Sequence, residues 1–332
     1  MAATLTRRRL LGFGAALGTG ALLGSTGIAA PAPARDRTGW PTTLQLPDGF
    51  HPQSIAIGAL PYAYFGSLLG GALYRVCLAT GAGEVLYPGV NPGVFDPRYM
   101  AVGVQVDQRA RLFVGGGWGR ILKVHDAHDG ALLRTYDVGT ETTAASHIAV
   151  TPGAVWCTDG FNPVLFGLPL GSGGQLPSQQ QVITRTLTGD WFQAPDGGVS
   201  ATGITRTPDG SALLVVNVAA DGGSLFRVDP ATGIARRVDL PLRLPTTIGV
   251  TVRGRTLYAT QFDNVAVIEL DDAGTRGTFA GYLEDERFDV PCAAQVYGDR
   301  LYVTNGRFTV EPTPQTPYNA VAIPLSERRR HS

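Results

Sequence analysis

The sequence contains very little lysine and has no excess of charge of either sign. Lys123 is the only lysine, and lysine and arginine together number 27, which balances the 27 acidic residues. Residues 1–34 carry three arginines and no acidic residue, so the chain without them has a charge of about −3. No basic patch remains in this chain, and we therefore expect no nucleic-acid partner.

The three cysteines are too few for a disulfide framework. Cys77, Cys157 and Cys292 each lie inside an apolar strand pattern, far apart in the chain. An odd number of cysteines leaves at least one free thiol, and a buried free thiol behaves as a small hydrophobic group. We therefore expect no disulfide bond.

Long apolar runs are also missing, and the longest one has the features of an export signal. Residues 10–23 are rich in glycine and alanine and fall short of the ~20 residues that a membrane-spanning helix needs. Three arginines precede this run and Ala32-Pro33-Ala34 follows it, as in a secretory signal peptide. Paired arginines before two leucines favour the twin-arginine route over an ordinary secretory signal. We expect residues 1–34 to be a twin-arginine signal peptide of a secreted or cell-envelope protein without stable membrane insertion.

Glycine and proline, by contrast, are abundant and spread along the whole chain. The sequence has 44 glycines and 23 prolines, with 44% hydrophobic and 16% charged residues. The low charge argues against a disordered chain. Frequent turn residues between apolar segments favour many short strands joined by tight turns.

Three strand phrases recur along the chain. One alternates apolar and polar residues and ends in a glycine turn, at 73–81, 121–130 and 225–233. A short aromatic or aliphatic strand occurs six times, at 63–66, 111–114, 154–157, 213–216, 256–259 and 300–303. Before each of the six lies a strand of small apolar residues, beginning near Gln53, Val102, His147, Thr202, Ile248 and Cys292. These starts are 44 to 55 residues apart, which is the period of a four-stranded propeller blade.

The repeat predicts an all-β protein, a single six-bladed β-propeller with four-stranded blades over residues 42–326. The last blade has only three strand phrases, and the unassigned strand phrase 42–46 is predicted to supply its outer strand. Such a closure removes exposed sheet edges. We expect residues 35–41 to be a linker, residues 171–200 an elongated outer hairpin of blade 3, and residues 327–332 a disordered tail.

The predicted ligand site lies at one mouth of the axial channel. In a propeller, the loops that enter the inner strands and the loops after the second strands share one face. The side chains expected to bind ligand there are Gln53, Trp118, Asn162, Thr202, Thr247, Gln261, Asp263, Asn305 and Arg307. This mostly neutral, partly aromatic set indicates a small organic or sugar-like ligand. We expect a monomer.

His147 is the histidine predicted to lie at the axis. Asp159 follows on the adjoining strand of the same blade, and a hydrogen bond between the two would orient His147 as a general base. The alternative is a histidine with a purely structural role. His125 and His128 are predicted in a turn on the other side of blade 2, and residues 284–286 form an acidic connection, so neither is expected to bind a metal.

Together, the inner-strand phrases, the second-strand phrases and the segment 228–233 resemble the senescence-marker-protein/gluconolactonase superfamily over nearly all of residues 45–325. The resemblance implies a six-bladed propeller that hydrolyses lactones or esters with an axial divalent cation, usually calcium. The metal-ligand phrases of that family correspond to residues 53–55, 201–204 and 245–248, none of which is charged. A hard divalent cation needs anionic oxygens. We therefore expect no metal cofactor, calcium included.

Three functions remain open from the sequence. The first is a binding propeller with a neutral pocket for a small ligand. The second is a lactone or ester hydrolase that uses His147 as a base, with Asp159 as its partner and without a metal. The third is an interaction scaffold that presents a propeller face to other proteins.

Overall fold

The computed structural model describes residues 39–90 and 95–325. The expected signal peptide and the expected C-terminal tail lie outside these residues. Within them the chain forms six sheets of at least four strands with antiparallel neighbours, apart from one short parallel pair, and the inner strands contact one another in a closed ring. No helix in this part of the chain has the length and apolar character to cross a membrane. The six-bladed, all-β fold predicted from the repeat is confirmed.

The blades follow one another along the chain. Strand β1 is Thr43–Leu46, and blade 1 contains β2 Pro52–Ile57, β3 Tyr62–Ser67, β4 Leu73–Cys77 and β5 Gly83–Tyr87. Blade 2 contains β6 Val104–Val106, β7 Arg111–Gly115, β8 Ile121–Asp126 and β9 Leu132–Asp137. Blade 3 contains β10 Ala145–Val150, β11 Ala154–Asp159, β12 Val164–Pro169 and β13 Ile183–Thr186.

The second half repeats the same order from the inside outwards. The short strand β14 is Thr188–Gly189, and blade 4 contains β15 Ala201–Arg206, β16 Leu213–Asn217, β17 Ser224–Val228 and β18 Ile234–Arg237. Blade 5 contains β19 Val250–Arg253, β20 Thr256–Thr260, β21 Val265–Leu270 and β22 Gly277–Leu283. Blade 6 contains β23 Pro291–Tyr297, β24 Arg300–Asn305 and β25 Tyr318–Pro324.

Small residues are required where the blades crowd together at the axis. A Cβ atom on Gly103 would lie 2.4 Å from the backbone oxygen of Ser146 in blade 3. A Cβ atom on Gly115 would lie 2.1 Å from the same oxygen. Both approaches are closer than van der Waals contact allows, so only glycine fits at these two positions.

The N-terminal strand closes the ring, as predicted. Strand β1 pairs antiparallel with β25 and forms the outer strand of blade 6. Leu44 is fully buried there in the cluster that contains Tyr318 and Ala320. Arg287 donates from Nη1 to the backbone oxygen of Thr42 at 3.1 Å and pairs with Asp285 at 2.6 Å. The acidic connection 284–286 therefore helps to hold the closing strand.

The segment 171–200 does more than extend blade 3. It contains the outer strand β13 of that blade, as expected. It also contains β14, which adds in parallel to the outer edge of blade 4 through Thr188 and Gly189. The prediction of an elongated outer hairpin of blade 3 was therefore wrong for its second half. There the chain pairs with the outer strand β18 of blade 4 before it continues to the inner strand β15.

The three cysteines lie in blades 1, 3 and 6 and are free thiols. Cys157 and Cys292 are fully buried, and burial raises the pKa of both thiols. A thiol with a raised pKa stays protonated at neutral pH and is a poor nucleophile. These two cysteines therefore act as small packing residues near the inner strands.

Candidate functional site

Four of the inner strands carry a β-bulge near their first residues. The pairing shifts register between Pro52 and Ser54, Ala145 and Ile148, Ala201 and Ile204, and Pro291 and Ala293. The extra residues at these points include Gln53, His147, Thr202 and Cys292, which begin the inner-strand phrases of the sequence. A bulge interrupts the ladder and redirects a side chain, and bulges are common beside active sites.

His147 lies in the axial channel. The channel is narrow, about 30 Å³, and residues of all six blades line it. The backbone N–H of His147 donates to Thr158 Oγ1 at 3.1 Å, while its ring makes no hydrogen bond to any described residue. Burial lowers the pKa of His147 to about 4. The imidazole is therefore neutral at pH 7.

Asp159 holds a loop instead of pairing with His147. Its Oδ1 accepts from the backbone N–H groups of Ala144 at 3.1 Å and Phe161 at 3.0 Å, and its Oδ2 accepts from Asn162 Nδ2 at 2.8 Å. The expected hydrogen bond between His147 and Asp159 is not among those that the described residues make. The carboxylate instead accepts from the segment before β10 and from the loop that follows β11.

In two other blades, the residue at the end of the second strand also accepts hydrogen bonds from backbone N–H groups of an adjacent loop. Asn217 ends β16 and accepts from the backbone N–H groups of Ala219 and Ala220 through Oδ1. Asn305 ends β24 and accepts from the N–H of Asp289 at 3.0 Å. A carboxylate or amide at the end of the second strand that accepts from backbone N–H groups of an adjacent loop is thus a repeated feature of the propeller.

Asp159→Ala is expected to lower the free energy of unfolding by about 2 kcal/mol, because buried N–H groups lose their acceptor. Asp159→Asn keeps an acceptor oxygen, so we expect a loss of less than about 1 kcal/mol. Chemical unfolding of both variants measures the loss of unfolding free energy. Asn217→Ala removes the equivalent acceptor in blade 4 and serves as the comparison. A stable Asp159→Asn protein that has lost all ligand binding or turnover would contradict a purely structural role.

Most other residues expected to bind ligand also hold their loops. Thr202 Oγ1 donates to the backbone oxygen of Thr247 at 2.8 Å, which links blades 4 and 5. Gln261 Nε2 donates to Pro245 O at 3.2 Å. Arg307 Nε donates to Asp289 Oδ2 at 2.7 Å. Asn305 Nδ2 donates to Arg287 O at 2.8 Å.

The remaining members of the predicted set are spread over the same face. Trp118 stacks on Phe161 with ring centroids 5.6 Å apart and packs against an apolar cluster that includes Met100. Asn162 contacts Asp159, as described above, and accepts from Thr142 through Oδ1. Gln53 is half-buried within its bulge, and Asp263 is exposed. The structure thus brings aromatic side chains together on this face.

A wide cavity lies at the other end of the axis. Its volume is about 500 Å³, within the usual range for small-molecule sites. It is lined by the far ends of the inner strands and by the turns that follow them in blades 2 and 3. The polar lining residues include Gln105, Asp107, Arg109, Thr151, Thr205, Arg206, Thr251 and Gln295. It shares Gln105, Ile148, Ile204, Val250 and Gln295 with the narrow channel. The two spaces form a funnel, called the axial funnel below, that narrows towards His147.

His147 is the one residue of the predicted set that lines the axial funnel. Sequence reasoning missed the polar residues of the wide end, although the sequence contains a signal for them. Gln105, Thr251 and Gln295 each lie between two apolar residues of an inner strand. An isolated polar residue at the same position of three inner strands indicates side chains that face the axis.

The axial residues do not fit a divalent cation. Oxygen donors at the family's metal positions are the neutral groups of Gln53, Thr202 and Thr247, and the hydroxyl of Thr202 is already bonded. Among residues 39–90 and 95–325, no group of three histidine, cysteine or carboxylate side chains is close enough to hold a metal ion. Neutral oxygens alone do not offset the dehydration of a hard cation.

The chain is similar to a curated protein and to many solved structures. It is 26% identical over 206 residues to a 6-deoxy-6-sulfogluconolactonase of Pseudomonas putida, over 58% of this chain and 62% of that protein. The match thus spans less than two thirds of the relative's length. No family model matches the chain.

Two solved structures show the same fold. A gluconolactonase from Xanthomonas campestris superposes with a TM-score of 0.59 at 16% identity, covering 86% of this chain and 90% of that one. The major allergen Mala s 1 of Malassezia sympodialis superposes with a TM-score of 0.65 at 12% identity, covering 85% and 96%. The protein is a six-bladed β-propeller with an axial cavity. Its fold is similar to that of a gluconolactonase, as the strand phrases predicted.

Proposed function

We propose that this propeller binds a small polar organic molecule of sugar size in the axial funnel, without a divalent metal, in the cell envelope or outside the cell. The observation that carries the proposal is the funnel itself. Its wide end has the volume of a ligand site, and amide and hydroxyl groups from five blades converge on it. Uncharged hydrogen-bonding groups of this kind suit the hydroxyl groups of a sugar.

One pair of these groups is already oriented for binding. Thr251 Oγ1 donates to Gln295 Oε1 at 3.3 Å, which directs the Gln295 amide nitrogen away from that contact. The amide nitrogen is then available to donate to a ligand oxygen. Gln105 lines the same stretch of the axial funnel from blade 2, so two amides meet where it narrows.

Hydrolysis of a lactone or ester is a second candidate, favoured by the position of His147 and by the lactonase activity in the name of the curated relative. In this reaction a water oxygen attacks the carbonyl carbon while a ring nitrogen of His147 takes the water proton. The acyl–oxygen bond then breaks, and the leaving alkoxide takes that proton. With a pKa of about 4 the imidazole is unprotonated at neutral pH and can accept the proton, but it is a weaker base than an ordinary histidine.

His147→Gln is expected to lower the hydrolysis of D-glucono-1,5-lactone by at least about 100-fold, because it removes the proton acceptor. A chelator is expected to leave turnover unchanged. The assay follows acid release, with His128→Gln as the control because that histidine is exposed. Unchanged turnover in His147→Gln would remove the second candidate, and chelator-sensitive turnover would contradict the metal-free site. Saturable binding without turnover would leave binding as the function.

A further inference from the structure

The wide end of the axial funnel carries two arginines without an acidic partner. Arg109 lies in the turn after β6, and Arg206 ends β15; both are exposed. Neither guanidinium forms an ion pair within the described part of the chain. They come from blades 2 and 4, on either side of blade 3, and line the same cavity.

The one acidic residue of this lining is already neutralised. Asp107 accepts from Arg111 Nε at 2.8 Å and from Arg111 Nη2 at 2.5 Å. Its other oxygen accepts from the backbone N–H groups of Arg109 and Arg111, both at 2.9 Å. Asp107 therefore cannot serve as the counter-ion of Arg109 without giving up Arg111, and the cavity keeps an excess of positive charge.

A loop of blade 3 limits where the Arg109 side chain can lie. A Cβ atom on Gly174 would come within 2.4 Å of the guanidinium carbon of Arg109, so the two are in close contact. The Gly174 backbone oxygen accepts from Arg111 Nη1 at 2.7 Å, which fixes the loop in this place. The guanidinium is thus supported at the cavity wall by the hairpin that precedes β13.

We propose that the ligand is an organic anion whose carboxylate or sulfonate is bound by Arg109 and Arg206. This inference rests on the ligand binding proposed above. Two guanidinium groups match the planar or tetrahedral oxygens of such groups by forked hydrogen bonds. The uncharged part of the molecule extends down the axial funnel, past Gln105 and Gln295, towards His147. The ligand enters from the face that carries the turns between first and second strands.

Calorimetric titration with D-glucuronate and D-glucose tests the charge directly, because the two sugars differ by one carboxylate. We expect glucuronate to bind at least 10-fold more tightly than glucose at low salt. Arg109→Gln and Arg206→Gln are each expected to weaken glucuronate by about 10-fold and to leave glucose unchanged. Arg134→Gln is the matched control, since that arginine is exposed on an outer strand. A 6-sulfonated glucose distinguishes a sulfonate preference from a carboxylate preference.

Salt provides a second measurement. Rising ionic strength is expected to weaken glucuronate binding to the native chain and to have little effect on the double Arg→Gln variant. Equal binding of both sugars, unaffected by the arginine variants, would overturn the anion proposal and leave sugar binding in the axial funnel intact. Absence of saturable binding of any of the three sugars would overturn both.

Discussion

Leu44→Ala is expected to lower the free energy of unfolding by about 3 kcal/mol, the usual cost of a cavity at a fully buried leucine. Leu44 belongs to β1, which is the only part of blade 6 supplied by the N-terminal side of the chain. It packs with Tyr318 and Ala320 of β25 in one cluster. The substitution therefore weakens the contact that ties the first blade to the last.

Gln45→Ala on the same strand is the matched control, because Gln45 is exposed. We expect a change within about 0.5 kcal/mol for this variant. Urea unfolding followed by tryptophan fluorescence measures both. If Leu44→Ala were as mild as Gln45→Ala, closure through β1 would contribute little to the stability of the propeller.

Acidification is expected to lower the free energy of unfolding already between pH 6.5 and pH 4, above the pH range in which most carboxylates titrate. Burial lowers the pKa of both His51 and His147 to about 4, against 6.5 for an ordinary histidine. Between these values the unfolded chain binds protons that the folded protein excludes. The contribution of each histidine to the free energy of unfolding is therefore fully present above pH 6.5 and is lost as the pH falls towards 4. The expected loss is about 2 kcal/mol per histidine at pH 5.

His51 is partly buried and His147 is buried, in different surroundings. The ring of His51 lies between Phe308 and Tyr318, with centroids 5.5 and 5.7 Å away, and its Nδ1 is buried without a partner among the described residues. Burial also lowers the pKa of His125, which acts in the same direction. Protonating any of these rings requires a charge in a poorly solvated place.

The measurement is the difference in unfolding free energy between pH 7.5 and pH 5. We expect His51→Gln and His147→Gln each to reduce this difference by about 2 kcal/mol, whatever their effect at pH 7.5. His128→Gln is the control, because this imidazole is exposed beside Asp126. Carboxylates such as Asp285, whose pKa is lowered by Arg287, act mainly below this range. A pH dependence unchanged in both variants would contradict the burial argument.

The fold was predictable because its signals are local. Alternation along β4, β8 and β17 and the regular spacing of the inner strands follow from residues close together in the chain. The closing strand could be identified as the one strand phrase without a blade. The addition of β14 to blade 4 could not be predicted, because two residues have no periodicity and their pairing depends on where blade 3 ends.

The candidate site was predicted less completely. His147 was placed at the axis by its position at the start of an inner-strand phrase, and it lies there. Asp159 was paired with it because the two residues are neighbours on adjoining strands. Ala144 before β10 and Phe161 and Asn162 after β11 donate to that carboxylate, and a sequence does not show which of several nearby partners a side chain selects.

The sequence by itself determined the number of blades, the order of their strands and the lack of charged side chains at residues 53–55, 201–204 and 245–248, since each depends on residue type and spacing. Only the tertiary structure decided which end of the axis widens. On the face that carries the loops after the second strands, Trp118 packs on Phe161 and Phe308 packs on His51, whereas the far ends of the inner strands surround a cavity. Both arrangements join side chains from different blades. Contacts between blades depend on how six sheets pack, and no local pattern in the chain specifies them.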